Sequence, residues 1–96
     1  MYLVPSPIKT KKWRAMFSDG KHTDFGAKSK NGKPMDDYTI TKDKDQRDRY
    51  LNRHKKNESW SDPRSAGALS RWILWGDHTS IQANISDYKR RFAGKL

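Results

Sequence analysis

Polar and apolar positions alternate early in the chain. In "KKWRAMFSDGKHTDFG", Trp13, Ala15 and Phe17 fall on one side and Lys12 and Arg14 on the other, the two-residue period of a strand. "SDG" marks a hairpin turn. A two-residue loop at Asp19-Gly20 would set Phe25 opposite Arg14, whereas a three-residue loop, Ser18 to Gly20, sets Phe25 opposite Trp13 and Thr23 opposite Ala15. The longer loop keeps the aromatics on one face and gives Gly20 the left-handed position, so it is the one predicted. Before the hairpin, residues 1–11, "MYLVPSPIKTK", show no period, and Pro5 and Pro7 make them an extended basic arm. After it, "GAKSKNGKPMDDYTI" reads as loop, punctuated by Gly26, Gly32 and Pro34.

From there the period is helical. The first helix has Asp43 as N-cap with Gln46 three residues on, runs to about Lys56, and turns Arg47, Tyr50, Leu51 and His54 inward. The second has Asp62 as cap, Pro63 at its first position and Gly76 just past its end. Its inner face is Ala66, Leu69, Trp72 and Ile73, widened by Ala68 and Trp75, with Arg64 and Arg71 along the edge and Leu74 outside the arc. Gly67 inside it costs about 1 kcal/mol relative to Ala and so marks the close approach of another backbone. The third begins "TSIQ", a capping box of Thr79 and Gln82, carries the stripe Ile81, Ile85, Tyr88 and Phe92, and ends near Gly94. The predicted class is α+β: an N-terminal β-hairpin packed on three short α-helices, with an extended N-terminal arm. The arm covers residues 1–11 and a single small domain residues 12–94.

Composition adds one tension. Of 96 residues 32% are hydrophobic and 33% charged, close to the boundary of disorder. Four Trp, four Tyr and three Phe restore a core, since each buries roughly 150–250 Å². The absence of Cys excludes disulfides and thiolate metal sites. No apolar run nears the roughly 20 residues of a membrane span, and the "MYLVP" start lacks a signal-peptide core, so a soluble compartment is expected. The glycosylation patterns at Asn57 and Asn84 then read as chance.

Charge changes the picture more. The net charge is +10 and the pI about 10.0, which argues for a polyanionic partner. The obvious candidate, "KDKDQRDRYLNRHKK" at 42–56, is the wrong one to rank first. Residues 35–61 hold seven Lys/Arg against six Asp/Glu, net +1, while residues 1–34 are net +6 and residues 62–96 net +3. Asp43, Asp45 and Asp48 lead that helix and Arg49, Arg53, Lys55 and Lys56 close it, the order its dipole favours. Phosphate contacts there are expected only from Arg49, Arg53 and Lys56. The other candidate contacts are Lys9, Lys11, Lys12 and Arg14 beside the arm, Lys28, Lys30 and Lys33 in the loop, and Lys89, Arg90 and Arg91 at the chain's end. Trp60, Leu74 and Trp75 are candidate apolar partner anchors, because they exceed what a small core needs.

Catalytic chemistry is not legible. "TDFG" lacks any accompanying kinase pattern, and His22, His54 and His78 lack metal-ligand spacing. Asp36-Asp37 has no nucleophile or base with it and reads as a cap or turn. No catalytic, cofactor or metal residue is assigned, and no small-molecule substrate is expected; an enzyme is not expected.

Several stretches together carry a resemblance: Lys-His-Thr-Asp-Phe-Gly at 21–26, Asp-Asp-Tyr-Thr at 36–39, Arg-Tyr-Leu-x-Arg-His at 49–54 and Arg-Trp-x-Leu-Trp-Gly at 71–76. Over roughly residues 11 to 92 the chain resembles a family of small basic proteins, of unknown function, from large double-stranded DNA viruses of algae and protists (chlorella-virus and mimivirus relatives). It departs from that pattern at Lys44, where the family has Pro. The resemblance implies a non-enzymatic virion structural protein, a minor capsid or cementing component, assembled in host cytoplasm or nucleus, with capsid proteins as partners. The alternative is a sequence-nonspecific DNA-binding or genome-condensing protein. A host-directed binding module comes third.

Overall fold

The alternation of residues 11–27 closes as a hairpin in the register the aromatics require. In the computed structural model, which describes residues 1–56 and 58–96, three antiparallel strands form one sheet in the order β1-β2-β3: β1 (Tyr2–Pro5), β2 (Lys11–Met16) and β3 (His22–Ala27). Trp13 stands opposite Phe25 and Ala15 opposite Thr23. The Phe17 N–H donates to the Lys21 carbonyl at 2.9 Å, which leaves Ser18 to Gly20 as a three-residue loop. Gly20 has φ +84°, a conformation that would strain any residue with a Cβ.

The N-terminal segment is extended and also paired. Leu3 lies opposite Ala15 and packs against the core, so β1 completes hydrogen bonds that β2 would otherwise leave to solvent. Pro5 is tolerated because β1 is an edge strand. Beyond it, the Ser6 N–H donates to the Lys12 carbonyl at 3.1 Å and the Ser6 hydroxyl to Asp24 at 2.9 Å.

Part of the segment expected to be loop is helical. Asp37 caps α1 (Tyr38–Thr41) by accepting from the Thr39 N–H at 2.9 Å. Helix α2 (Lys44–His54) starts as expected, with the Asp43 carboxylate accepting from the N–H groups of Asp45 and Gln46. Gln46 does not complete a capping box; its side chain accepts instead from the Thr41 hydroxyl at 2.7 Å.

The next helix begins later than its first cap signal suggested. Asp62 closes only a turn onto the Arg64 N–H, whereas Ser65 caps α3 (Ala66–Leu69) through the Ala68 N–H at 3.0 Å. Ala66, expected inside, is exposed. Gly67 does mark a close approach, but of the Glu58 side chain, which a Cβ added at Gly67 would meet at 3.3 Å, rather than of a backbone. Helix α4 (Ile81–Arg91) is capped by Ser80, one residue after the expected Thr79, and Ser80 accepts from the Ala83 N–H.

Helix α3 continues into a π-helical turn, Ser70–Leu74, in which the Trp75 N–H donates to the Ser70 carbonyl at 3.0 Å. A π-turn takes in one residue more than an α-turn, so the positions after it rotate back by about 100°. This overturns two expected partner anchors. Leu74 is 1% exposed and Trp75 is 7% exposed, both in the core with Ala15, Phe17, Phe25, Leu69, Ile73, Tyr88 and Phe92. Trp60 is half-buried and engaged internally: its indole N–H donates to Glu58 at 3.2 Å and its carbonyl accepts from the Trp72 indole at 2.9 Å.

Asn84 locks α4 to the π-turn. Fully buried, it donates to the carbonyls of Ile73 and His78 at 2.8 Å each and accepts from the His78 N–H at 3.0 Å. A glycan there is excluded by burial; Asn57 lies outside the described residues. Helix α2 differs from the others in burying no residue fully, with only Tyr50 and Leu51 packed against the core. It is therefore a wall of the molecule more than part of its centre. No helix among the described residues is long and apolar enough to cross a membrane.

Candidate functional site

The inner side of α2 carries a ladder of rings. Tyr50 and His54, one helical turn apart, stack at 4.2 Å between centroids, and Tyr50 also stacks on Trp75 at 4.2 Å with only 7° between planes. Trp75 stands at the end of the π-turn and is itself buried. Burial of the Tyr50 hydroxyl, with Glu58 next in effect, pushes its pKa well above the ordinary tyrosine value. Arg47 ties α2 to the same turn, donating from Nε to the Trp75 and Gly76 carbonyls at 3.2 and 2.9 Å and from Nη2 to Asp77 at 3.0 Å.

Two hollows open beside this ladder. The first, about 420 Å³, lies between the sheet, the loop at 35–37, α2 and α3, and is walled by Phe25, Met35, Tyr50, Leu74 and Trp75. Its charged groups are balanced: Lys11, Lys12 and Arg53 face Asp36, Asp37 and Glu58. The second, about 580 Å³, is a groove between the loop at 33–36 and α2, and it shares Met35, Asp36, Tyr50, Arg53 and Trp75 with the first. Lys33, Arg49 and Arg53 line it against a single carboxylate, Asp36. Arg49 and Arg53 sit one turn apart on the helix, and Lys33 comes from across the groove.

Ion pairing decides which expected cations are available. Lys12 is not. It is buried and holds Asp37, 2% exposed, at 2.6 Å. Arg14 is not either, because the register sets it opposite Asp24 and its Nε and Nη2 donate to that carboxylate at 2.9 and 3.1 Å. That pairing holds Asp24 below the usual carboxylate range and raises the Arg14 pKa. Arg90 pairs with Asp87, and Arg91 lies over the Trp72 ring at 3.6 Å. For Lys12 and Arg14 the cause is assembly, which brings carboxylates from other elements to them; Arg90 is met by a carboxylate one turn back on its own helix and Arg91 by a ring.

The other expected contacts, Lys9, Lys11, Lys28, Lys30, Lys33, Arg49, Arg53, Lys56 and Lys89, form no ion pair among the described residues. Several cluster at one end of the sheet. Lys28 bridges to Pro34, the Ser29–Lys33 turn follows, and the Lys9 side chain lies along Gly32. Lys56 and Lys89 are exposed outside this cluster.

Sequence reasoning did not single out the ring ladder, Glu58 or Asp36 as site residues. The Tyr50–His54 spacing and the place of Trp75 on the widened inner face were usable signals; that the two helices bring these rings together has no sequence mark. A second basic–aromatic cluster also escaped notice, in which Arg71 stands 4.0 Å from the Trp72 ring centroid and 5.2 Å from that of Trp60 while donating to the Trp75 carbonyl at 3.0 Å. Burial, then the nearby Arg47, lowers the Arg71 pKa. No group of three or more His, Cys, Asp or Glu that could hold a metal ion occurs among the described residues.

Comparison with known proteins gives a family and little else. The chain belongs to the one described as "Family of unknown function (DUF5754)", whose model matches residues 1–54, from β1 to the end of α2. No curated protein and no solved structure matches the chain. The groove residues Lys33, Arg49 and Arg53 fall within the matched segment.

Proposed function

We propose that this member of the DUF5754 family is a non-enzymatic protein that holds nucleic acid by its phosphates without reading sequence. The observation that carries the reading is the groove, where Lys33, Arg49 and Arg53 converge against one carboxylate. The folded chain uses most of its carboxylates internally, on Lys12, Arg14, Arg47, Arg64, Arg90 and the caps at Asp37 and Asp43. What remains on the surface is largely unneutralised Lys and Arg, the sequence-independent component of nucleic-acid affinity. Together with the viral resemblance, this supports a genome-associated role in a large double-stranded DNA virus.

The test is duplex affinity across a salt series. A plot of log affinity against log salt steep enough for about five or more phosphates is the expected result. Binding that disappears by physiological salt would remove the reading.

A second reading, a minor capsid or cementing protein, draws on a different observation. Strand β1 is a sheet edge, and Tyr2 and Ile8, at and beyond it, are 59% and 44% exposed. That edge would meet a neighbouring capsid protein by adding a strand. Co-assembly that fails when residues 1–8 are replaced, with duplex binding absent, would favour it.

A further inference from the structure

We propose that the preferred ligand is a single strand, with one unpaired base inserted into the 420 Å³ hollow while the flanking phosphates lie along the basic groove. This rests on the nucleic-acid reading above and adds the kind of strand. The two hollows adjoin through Met35, Asp36, Tyr50, Arg53 and Trp75, but their charges differ. The groove has three cations to one carboxylate and suits a backbone. The hollow is balanced, with Lys12 already committed to Asp37 at 2.6 Å, so it offers a phosphate little.

What the hollow does offer is a base-sized space with mixed walls. Its volume falls in the range of sites for small organic ligands, roughly 300–1,000 Å³. Met35, 54% exposed, supplies apolar surface, and Tyr50, half-buried and held between His54 and Trp75 at 4.2 Å from each, supplies a ring edge fixed in advance. Asp36 and Glu58 can accept from the N–H edge of a base, and Ser70 can donate or accept. Bases in a duplex are paired and stacked, so only an unpaired one can enter. Aromatic and apolar contact tolerates any base, in keeping with binding that ignores sequence.

The experiment is fluorescence anisotropy with three labelled probes of ten units: oligothymidylate, oligodeoxyadenylate and a duplex. The intact protein is compared with Ala66→Trp at one salt concentration. Ala66 lies on the hollow's lining and is exposed, so the added ring blocks the hollow without removing charge. Ala27→Trp, exposed on the β3 side of the lining, does the same should the first variant melt early. The intact protein should bind both single strands about tenfold or more above the duplex, and a blocking variant should lose that preference while duplex affinity stays within about twofold. No preference in the intact protein, or a preference that survives blocking, overturns the inference and leaves the phosphate-holding reading standing. Absence of salt-dependent binding to any probe sinks both.

Discussion

Lys12→Met separates structural from binding lysines more sharply than any other single change. Lys11 and Lys12 are neighbours in sequence, both expected to contact a polyanion, yet Lys12 is 9% exposed and its ammonium sits 2.6 Å from an Asp37 carboxylate that is itself 2% exposed. That carboxylate also accepts from the Thr39 N–H and hydroxyl and caps α1. Removing the ammonium leaves a buried charge with two neutral donors and no cation. Breaking a buried pair from one side costs about 3–5 kcal/mol. A domain of this size loses about 4–8 °C of Tm per kcal/mol, so even the lower figure means a fall of about 12–24 °C. The double variant Lys12→Met/Asp37→Asn should recover part of that loss, because the stranded charge goes with its partner. The assay is thermal melting and urea unfolding of the four proteins in the cycle, beside duplex binding of Lys12→Met well below its Tm. The reasoning is refuted if Lys12→Met melts within about 2 °C of the parent and binds the duplex more weakly.

Three further outcomes follow from the same contacts. Leu74→Ala should cost about 3–5 kcal/mol in urea unfolding, as expected of a fully buried leucine and not of a surface anchor. Asn84→Ala strands the carbonyls of Ile73 and His78 and the His78 N–H, so a loss of about 3 kcal/mol or more is expected, with the 78–84 segment exchanging its amide protons fastest. Acid should destabilise through Asp19 and Asp24, held below the usual carboxylate range by Arg64 and Arg14 respectively. Their contribution is complete above the unfolded carboxylate pKa, about 3.9, and is lost as pH falls through the lower folded values, so the urea midpoint should drop below pH 4 and drop less in Asp24→Asn.

The hairpin was legible because three local signals agreed: a two-residue period, a Gly where φ must be positive, and aromatics that match across only one register. The end of the second helix was legible at Gly76, where an added Cβ would strike the Trp72 carbonyl and the Asn84 side chain. Its start was not, since Asp62 and Ser65 are both good caps and only the folded chain chooses. Nor was Leu74, because a helical wheel assumes 100° per residue and the π-turn breaks that assumption; Trp75 was placed on the widened inner face but also read as a partner anchor. Among the cations, type and segment charge identified a basic surface but not the pairs that cancel it. Lys12 finds Asp37 from 25 residues away, and nothing local distinguishes it from Lys11. Arg49 and Arg53 were legible as a pair on one helix; their meeting with Lys33 depends on the loop that α1 and the Lys28–Pro34 bridge fix in place.

The central claim is that Lys33, Arg49 and Arg53 hold phosphates. It is tested most directly by the salt dependence of duplex affinity for Lys33→Gln/Arg49→Gln/Arg53→Gln beside the parent, with Lys21→Gln, at the opposite hairpin end of the sheet, as control. Each lost phosphate contact should flatten the log–log slope by about one, so the triple variant should lose about three and the control none. A triple variant with the parent's slope, or a control that loses as much per charge, would show that the groove is not where the polyanion lies.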